Sequence, residues 1–166
     1  MNLRFLSLVA GVMLLAACAD NTPTTGGAAG GANAANPTTP SSSSGSVQPG
    51  SEQDLAQNVG GRVFFDYDKS DIKAEGRQVL QRQADWLKKY SNVTVTVEGH
   101  CDERGTREYN LALGERRATA VKKMLVALGV PANRVSTISY GKERPAVVGS
   151  NEAAYAQNRR GVTVVN

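Results

Sequence analysis

The stretch from Glu98 to Val121, EGHCDERGTREYNLALGERRATAV, gathers the side chains of this chain that can do chemistry. It holds the only histidine, His100, followed directly by Cys101, Asp102 and Glu103, with Arg104 and Arg117 further on. An aspartate and an arginine facing one small cavity read a zwitterion. The carboxylate takes an ammonium, and the guanidinium takes a carboxylate through two parallel hydrogen bonds. Asp102 and Arg117 are the candidates, and Leu113 lies one helical turn before Arg117 on the same face. The same pair also fits a surface salt bridge contributing about 0–1 kcal/mol, and residue types alone favour neither reading.

His100-Cys101-Asp102-Glu103 superficially offers the groups of a cysteine hydrolase or a metal site. Adjacent residues of an extended loop point in alternating directions and seldom converge on one centre. There is no second histidine and no orienting group at useful spacing, so neither catalysis nor a metal centre is expected.

The elements around this stretch must hold it in place. Arg62 to Asp66 reads as a short strand, and Asp68-Lys69-Ser70-Asp71 as a turn and helix start. Ile72, Val79, Leu80, Ala84, Leu87 and Tyr90 then share one helical face, which Gly76 weakens by up to about 1 kcal/mol. Trp86 on this helix is expected to pack at the core edge. Val93 to Val97 alternates valine with threonine, as a half-buried strand does. A loop over Gly99 to Thr106 leads into a helix from Glu108 to Leu128, with Leu111, Ala118, Val121, Leu125 and Leu128 as its core stripe. Gly129 stops it, with Pro131 just beyond. Glu115, Arg116 and Lys122 read as its solvated face. Arg134 to Tyr140 is a strand, Asn151 to Asn158 a short helix, and Gly161 to Val165 a last strand. Ser51 to Asn58 reads as a short helix or the end of a linker. The alternation predicts an α+β sandwich, a small mixed sheet with helices packed on one face. Periodicity leaves the strand order open.

The first 50 of the 166 residues have a different composition, with only two charges, Arg4 and Asp20. Residues 1–17 read as a secretory leader. Arg4 is its positive start, and the apolar run from Phe5 to Ala17 is shorter than the roughly 20 residues that span a bilayer. Leu15-Ala16-Ala17-Cys18 resembles a bacterial lipobox, which makes Cys18 the expected acylated residue. Several acyl chains on one residue anchor stably, since each buried methylene adds to the grip. Residues 18–50 then form the lipidated end and a linker of Ala, Gly, Asn, Pro, Ser and Thr, with too little to bury to stay ordered. Such a tether reaches roughly 30 Å on average and roughly 100 Å at full stretch. Residues 51–166 form the folded domain. The net charge of +4 becomes +3 once Arg4 leaves with the leader, and no block of Lys and Arg points to nucleic acid. The two cysteines are far apart and need not pair.

Four segments carry a family resemblance: FFDYDKSDI at 64–72, the block at 97–121, SYGKERPAV at 139–147 and NEAAYAQNRRGV at 151–162. Asn110-x2-Leu113-Gly114-x2-Arg117-Ala118-x2-Val121 matches a family signature at every spacing. The chain resembles the OmpA-like C-terminal domain family, and within it the peptidoglycan-associated lipoproteins. The resemblance implies an OmpA-like sandwich that binds peptidoglycan at meso-diaminopimelate of the stem peptide, without catalysis or cofactor. It implies that Asp102 takes the ligand's amine and Arg117 a ligand carboxylate. Arg104, Leu113, Tyr67 and Asp68 would line the same pocket, with His100 adjacent. It further implies a lipid anchor in the outer membrane, a domain in the periplasm, and partnership with TolB and other Tol proteins. That is the Tol–Pal system, which draws the outer membrane inward at cell division. Ala19 after Cys18 favours the outer membrane, while Asp20 stands one residue from the position that favours the inner one. Cys101 departs from the family, where a small Ala or Thr is usual. An interaction module acting mainly as a protein docking partner, and a cell-wall enzyme, are the alternatives. The lack of a catalytic pair speaks against the second.

Overall fold

The computed structural model describes residues 47–166. The leader, Cys18 and most of the linker lie outside the described residues. Four strands form one sheet: β1 (Arg62–Phe64), β2 (Val95–His100), β3 (Val135–Gly141) and β4 (Arg160–Val165). Their order is β1-β4-β2-β3. β4 runs antiparallel to both β1 and β2, whereas β2 and β3 are parallel. A parallel pair needs a long crossover, and here it is a helix. The helices are α1 (Glu52–Asp54, continued by a π turn over Leu55–Val59), α2 (Ala74–Lys89), α3 (Arg107–Ala127) and α4 (Glu152–Asn158). No helix among the described residues is long and apolar enough to cross a membrane.

The valine–threonine alternation puts Val95 and Val97 fully inside. They meet Leu80, Ala84 and Leu87 of α2 and Ala118, Val121 and Leu125 of α3 in one core. Each buried leucine contributes about 1.5–3 kcal/mol by leaving water. The helices thus cover one face of the sheet, as expected. The other face is open at Phe64 and Ile138, which are 41% and 39% exposed, and covered at His100 and Arg160, which are buried. Trp86 packs at the core edge and donates its indole N–H to Asp54 at 2.9 Å. Asp54 also accepts from the Gly50 amide and from Asn58, which fixes the segment entering the domain.

Several boundaries differ from expectation for local reasons. β2 runs through Glu98, Gly99 and His100 instead of ending at Val97, because Gly99 pairs with both Ser139 and Gly161. The loop therefore begins at Cys101. A Cβ on Gly99 would stand 1.8 Å from the Gly114 carbonyl oxygen, so strand and helix touch backbone to backbone. α2 starts at Ala74, later than the Asp68–Asp71 turn predicts. The carbonyls of Asp66 and Lys69 accept from Arg117, and Asp68 sits at φ 56°, outside helical geometry. Gly76, a weak point by propensity, lies against β1: a Cβ there would meet Val63 Cγ1 at 2.8 Å. Arg134 precedes β3 in a 3-10 turn, where its guanidinium donates to the Tyr90 and Val93 carbonyls. Leu111 is only half-buried. The buried stripe of α3 instead begins with Asn110, Leu113, Gly114 and Arg117.

Candidate functional site

The polar start of that stripe opens onto a cavity of about 420 Å³ between the β2–α3 loop and the Tyr67–Asp68 turn. Thr106 caps α3, its hydroxyl accepting from the Tyr109 amide. Asn110, buried one turn on, donates to the carbonyls of Arg104 and Thr106 and closes the loop onto the helix. Lys142 braces the outside by donating to the Glu103 and Gly105 carbonyls. The loop is therefore held through its backbone carbonyls by the Asn110 and Lys142 side chains.

Tyr67, Asp68, Asp102, Arg104, Leu113 and Arg117 all line this cavity. His100 does not. The alternation that turns Val97 and Cys101 inward turns His100 to the opposite face. There its buried imidazole lies against Tyr140, 5.5 Å between ring centres, with Nε2 3.3 Å from Glu98. Only its carbonyl faces the site, accepting from Arg117 Nη1 at 2.8 Å.

Arg117 is fully buried. Besides His100, it donates from Nε to Lys69 O at 2.9 Å and from Nη2 to Asp66 O at 3.1 Å. A guanidinium carries five donors, so two lie beyond these three bonds, one on each Nη, with the Cys101 thiol beside them. Burial pulls its proton affinity down from the ordinary value, yet a guanidinium stays charged. Asp102, 4% exposed, accepts from both the backbone and the side chain of Arg104. Its second oxygen also accepts from Arg159 at 3.3 Å. Burial by itself pushes the Asp102 carboxyl up. The hydrogen bonds from Arg104 and Arg159 outweigh burial and hold it below the ordinary 3.8. Asp68, at the mouth, accepts from the Tyr109 hydroxyl, which raises the phenol's pKa.

Cys101 also lines the cavity, with its thiol 3.4 Å from the Asn110 carbonyl. Burial pushes its pKa up, against the pull of Arg117. That shift disfavours the thiolate, the reactive form of the side chain. Among the described residues no three His, Cys, Asp or Glu side chains are grouped to hold a metal. Sequence reasoning missed Arg159, Glu152, Tyr155 and Tyr109. Arg159 stands 57 residues from Asp102. Its only sequence signal is its place in the NEAAYAQNRRGV segment.

The OmpA family profile matches residues 64–159. A peptidoglycan-associated lipoprotein of Agrobacterium fabrum is 52% identical over 155 residues, covering 92% of this chain and 82% of the relative. The protein of that name from Rhizobium meliloti is 57% identical over 122 residues, covering 74% of this chain and 69% of the relative. The crystal structure of the peptidoglycan-associated lipoprotein from Burkholderia pseudomallei aligns with TM-score 0.64 at 38% identity, over 68% of this chain and all of that one. With its profile match spanning most of the folded part and its relatives matched over most of their length, the chain belongs to the OmpA family.

Proposed function

We propose that this domain binds peptidoglycan non-covalently, by the amine-and-carboxylate end of meso-diaminopimelate in the stem peptide. The observation that carries the reading is a fully buried arginine, Arg117, held by three backbone carbonyls at a cavity that Asp102, Asp68 and Arg104 also line. A carboxylate entering there meets a guanidinium whose position is already fixed, so little ordering entropy opposes binding. The apolar floor at Leu113 suits the ligand's methylene chain. The role is binding without chemistry: the one imidazole faces away from the one thiol of the cavity. By kinship with the named relatives, the reading extends to a lipoprotein anchored in the outer membrane through Cys18, its domain in the periplasm. TolB and the other Tol proteins would be its partners, with envelope integrity and inward movement of the outer membrane at division as the outcome.

The test is sedimentation with purified sacculi. The full chain pellets with them and is released by free meso-diaminopimelate. Arg117→Lys keeps the buried charge but loses the fork, and pellets less. A wild-type chain that stays in the supernatant, or that diaminopimelate does not release, refutes the reading.

A further inference from the structure

Asp102 has no vacant acceptor. A carboxylate offers about four lone-pair positions, and here all are taken. Oδ1 accepts from Arg104 N at 3.2 Å and Arg104 Nε at 3.1 Å, and Oδ2 from Arg104 Nη2 at 2.6 Å and Arg159 Nη1 at 3.3 Å. A ligand ammonium therefore cannot reach Asp102 unless a guanidinium leaves. The two arginines differ in their freedom to do so. Arg159 is 6% exposed and is held as well by Phe65 O and Glu152. The Arg104 side chain is 33% exposed. It lies between the rings of Tyr67 and Tyr155, 4.0 and 4.3 Å from their centres, with Glu152 3.7 Å from Nη1. Those rings stabilise a cation along the path from the carboxylate to the surface.

Resting on the diaminopimelate reading above, we propose that Arg104 is an internal counter-cation and the specificity-determining residue of the site. The ligand's ammonium displaces it from Asp102, and the released guanidinium then joins Arg117 on the ligand's carboxylate. The exchange keeps every buried charge paired. Before binding, Asp102 is shared by Arg104 and Arg159; afterwards it holds the ammonium beside Arg159, and the ligand carboxylate lies between Arg117 and Arg104. A ligand that brings an amine alone takes Asp102 from Arg104 and supplies no carboxylate in return, which leaves the guanidinium only the exposed Glu152, already bonded to Arg159. The site thus rejects plain amines by what they lack. A lysine side chain is such an amine, differing from diaminopimelate by one carboxylate.

The experiment titrates the full chain with two soluble stem peptides, one carrying meso-diaminopimelate and one carrying lysine at the same position. Wild type prefers the diaminopimelate peptide by about tenfold or more, the effect of one charge-assisted pair. In Arg104→Gln, Asp102 is open to any amine. The lysine peptide binds more tightly than to wild type, and the preference collapses. Arg104→Lys, a cation without the fork, falls between. Circular dichroism checks that both variants are folded, as expected for a partly exposed side chain. Equal weakening of both peptides in Arg104→Gln makes Arg104 a simple attractive contact and overturns the exchange. An unchanged preference makes it a bystander and overturns the proposal too. A wild type that binds neither peptide instead sinks the diaminopimelate reading itself.

Discussion

The imidazole of His100 packs on the face of the sheet away from the cavity, while its carbonyl holds Arg117. Burial pushes this imidazole below its ordinary 6.5. The charge of Arg160 adds to that push, and Glu98 opposes it. The unfolded chain therefore takes up the proton first as pH falls. Stability from this group is complete above the ordinary value and is lost as pH drops through it toward the lower folded value. The chain has one histidine, so between about pH 7 and pH 5 the slope has essentially one source. The melting temperature is expected to fall across that window in wild type and to stay level in His100→Gln; equal slopes would discount the buried imidazole. At this scale the sequence was legible where a residue's place depended on type and near spacing. Asp102, Leu113 and Arg117 do line one cavity, and so do Arg104, Tyr67 and Asp68, which only the family resemblance put there. His100 was misjudged by adjacency, although continuing the strand's own alternation past Val97 turns it away. Arg117 carries more than a ligand contact, because it also staples three backbone carbonyls from two other segments. No local pattern announces that.

Among the elements, the crossing of β2 by α3 sets the site. By propensity, Gly114→Ala in the middle of α3 should stabilise by about 1 kcal/mol. A Cβ there would stand 2.3 Å from Ser139 Oγ and 2.9 Å from the Gly99 carbonyl oxygen. Steric cost wins, because the nearest backbone atoms belong to a paired central strand and cannot retreat. Forcing a methyl into a packed contact typically costs about 1–3 kcal/mol. Urea denaturation of Gly114→Ala is expected to show a lower midpoint than wild type, and a raised midpoint would deny the contact. The existence and type of the main elements were readable from period and punctuation, since hydrophobic alternation follows local geometry. Their ends were not. The start of α2 and the end of β2 are fixed by partners far along the chain, Arg117 for the one and Gly161 for the other.

For the molecule as a whole, the folded part is one layer of helices on one sheet, and the proposed attachment at Cys18 lies beyond the described residues. Cys18→Ser is expected to move the protein from the outer-membrane fraction to the soluble periplasmic extract, with sacculus binding retained. Continued fractionation with the membrane would refute the anchor. Strand order was the part of the architecture that the sequence left open. Placing β4 between β1 and β2 depends on pairing between segments more than 60 residues apart in the chain, such as Val95 with Val165. The contact of Gly99 with Gly114 has a consequence at this scale. Since no side chain intervenes there, the gap between the two arms of the grip is gauged by main-chain thickness alone. The apolar interior can drift or be redesigned, and the jaw stays calibrated.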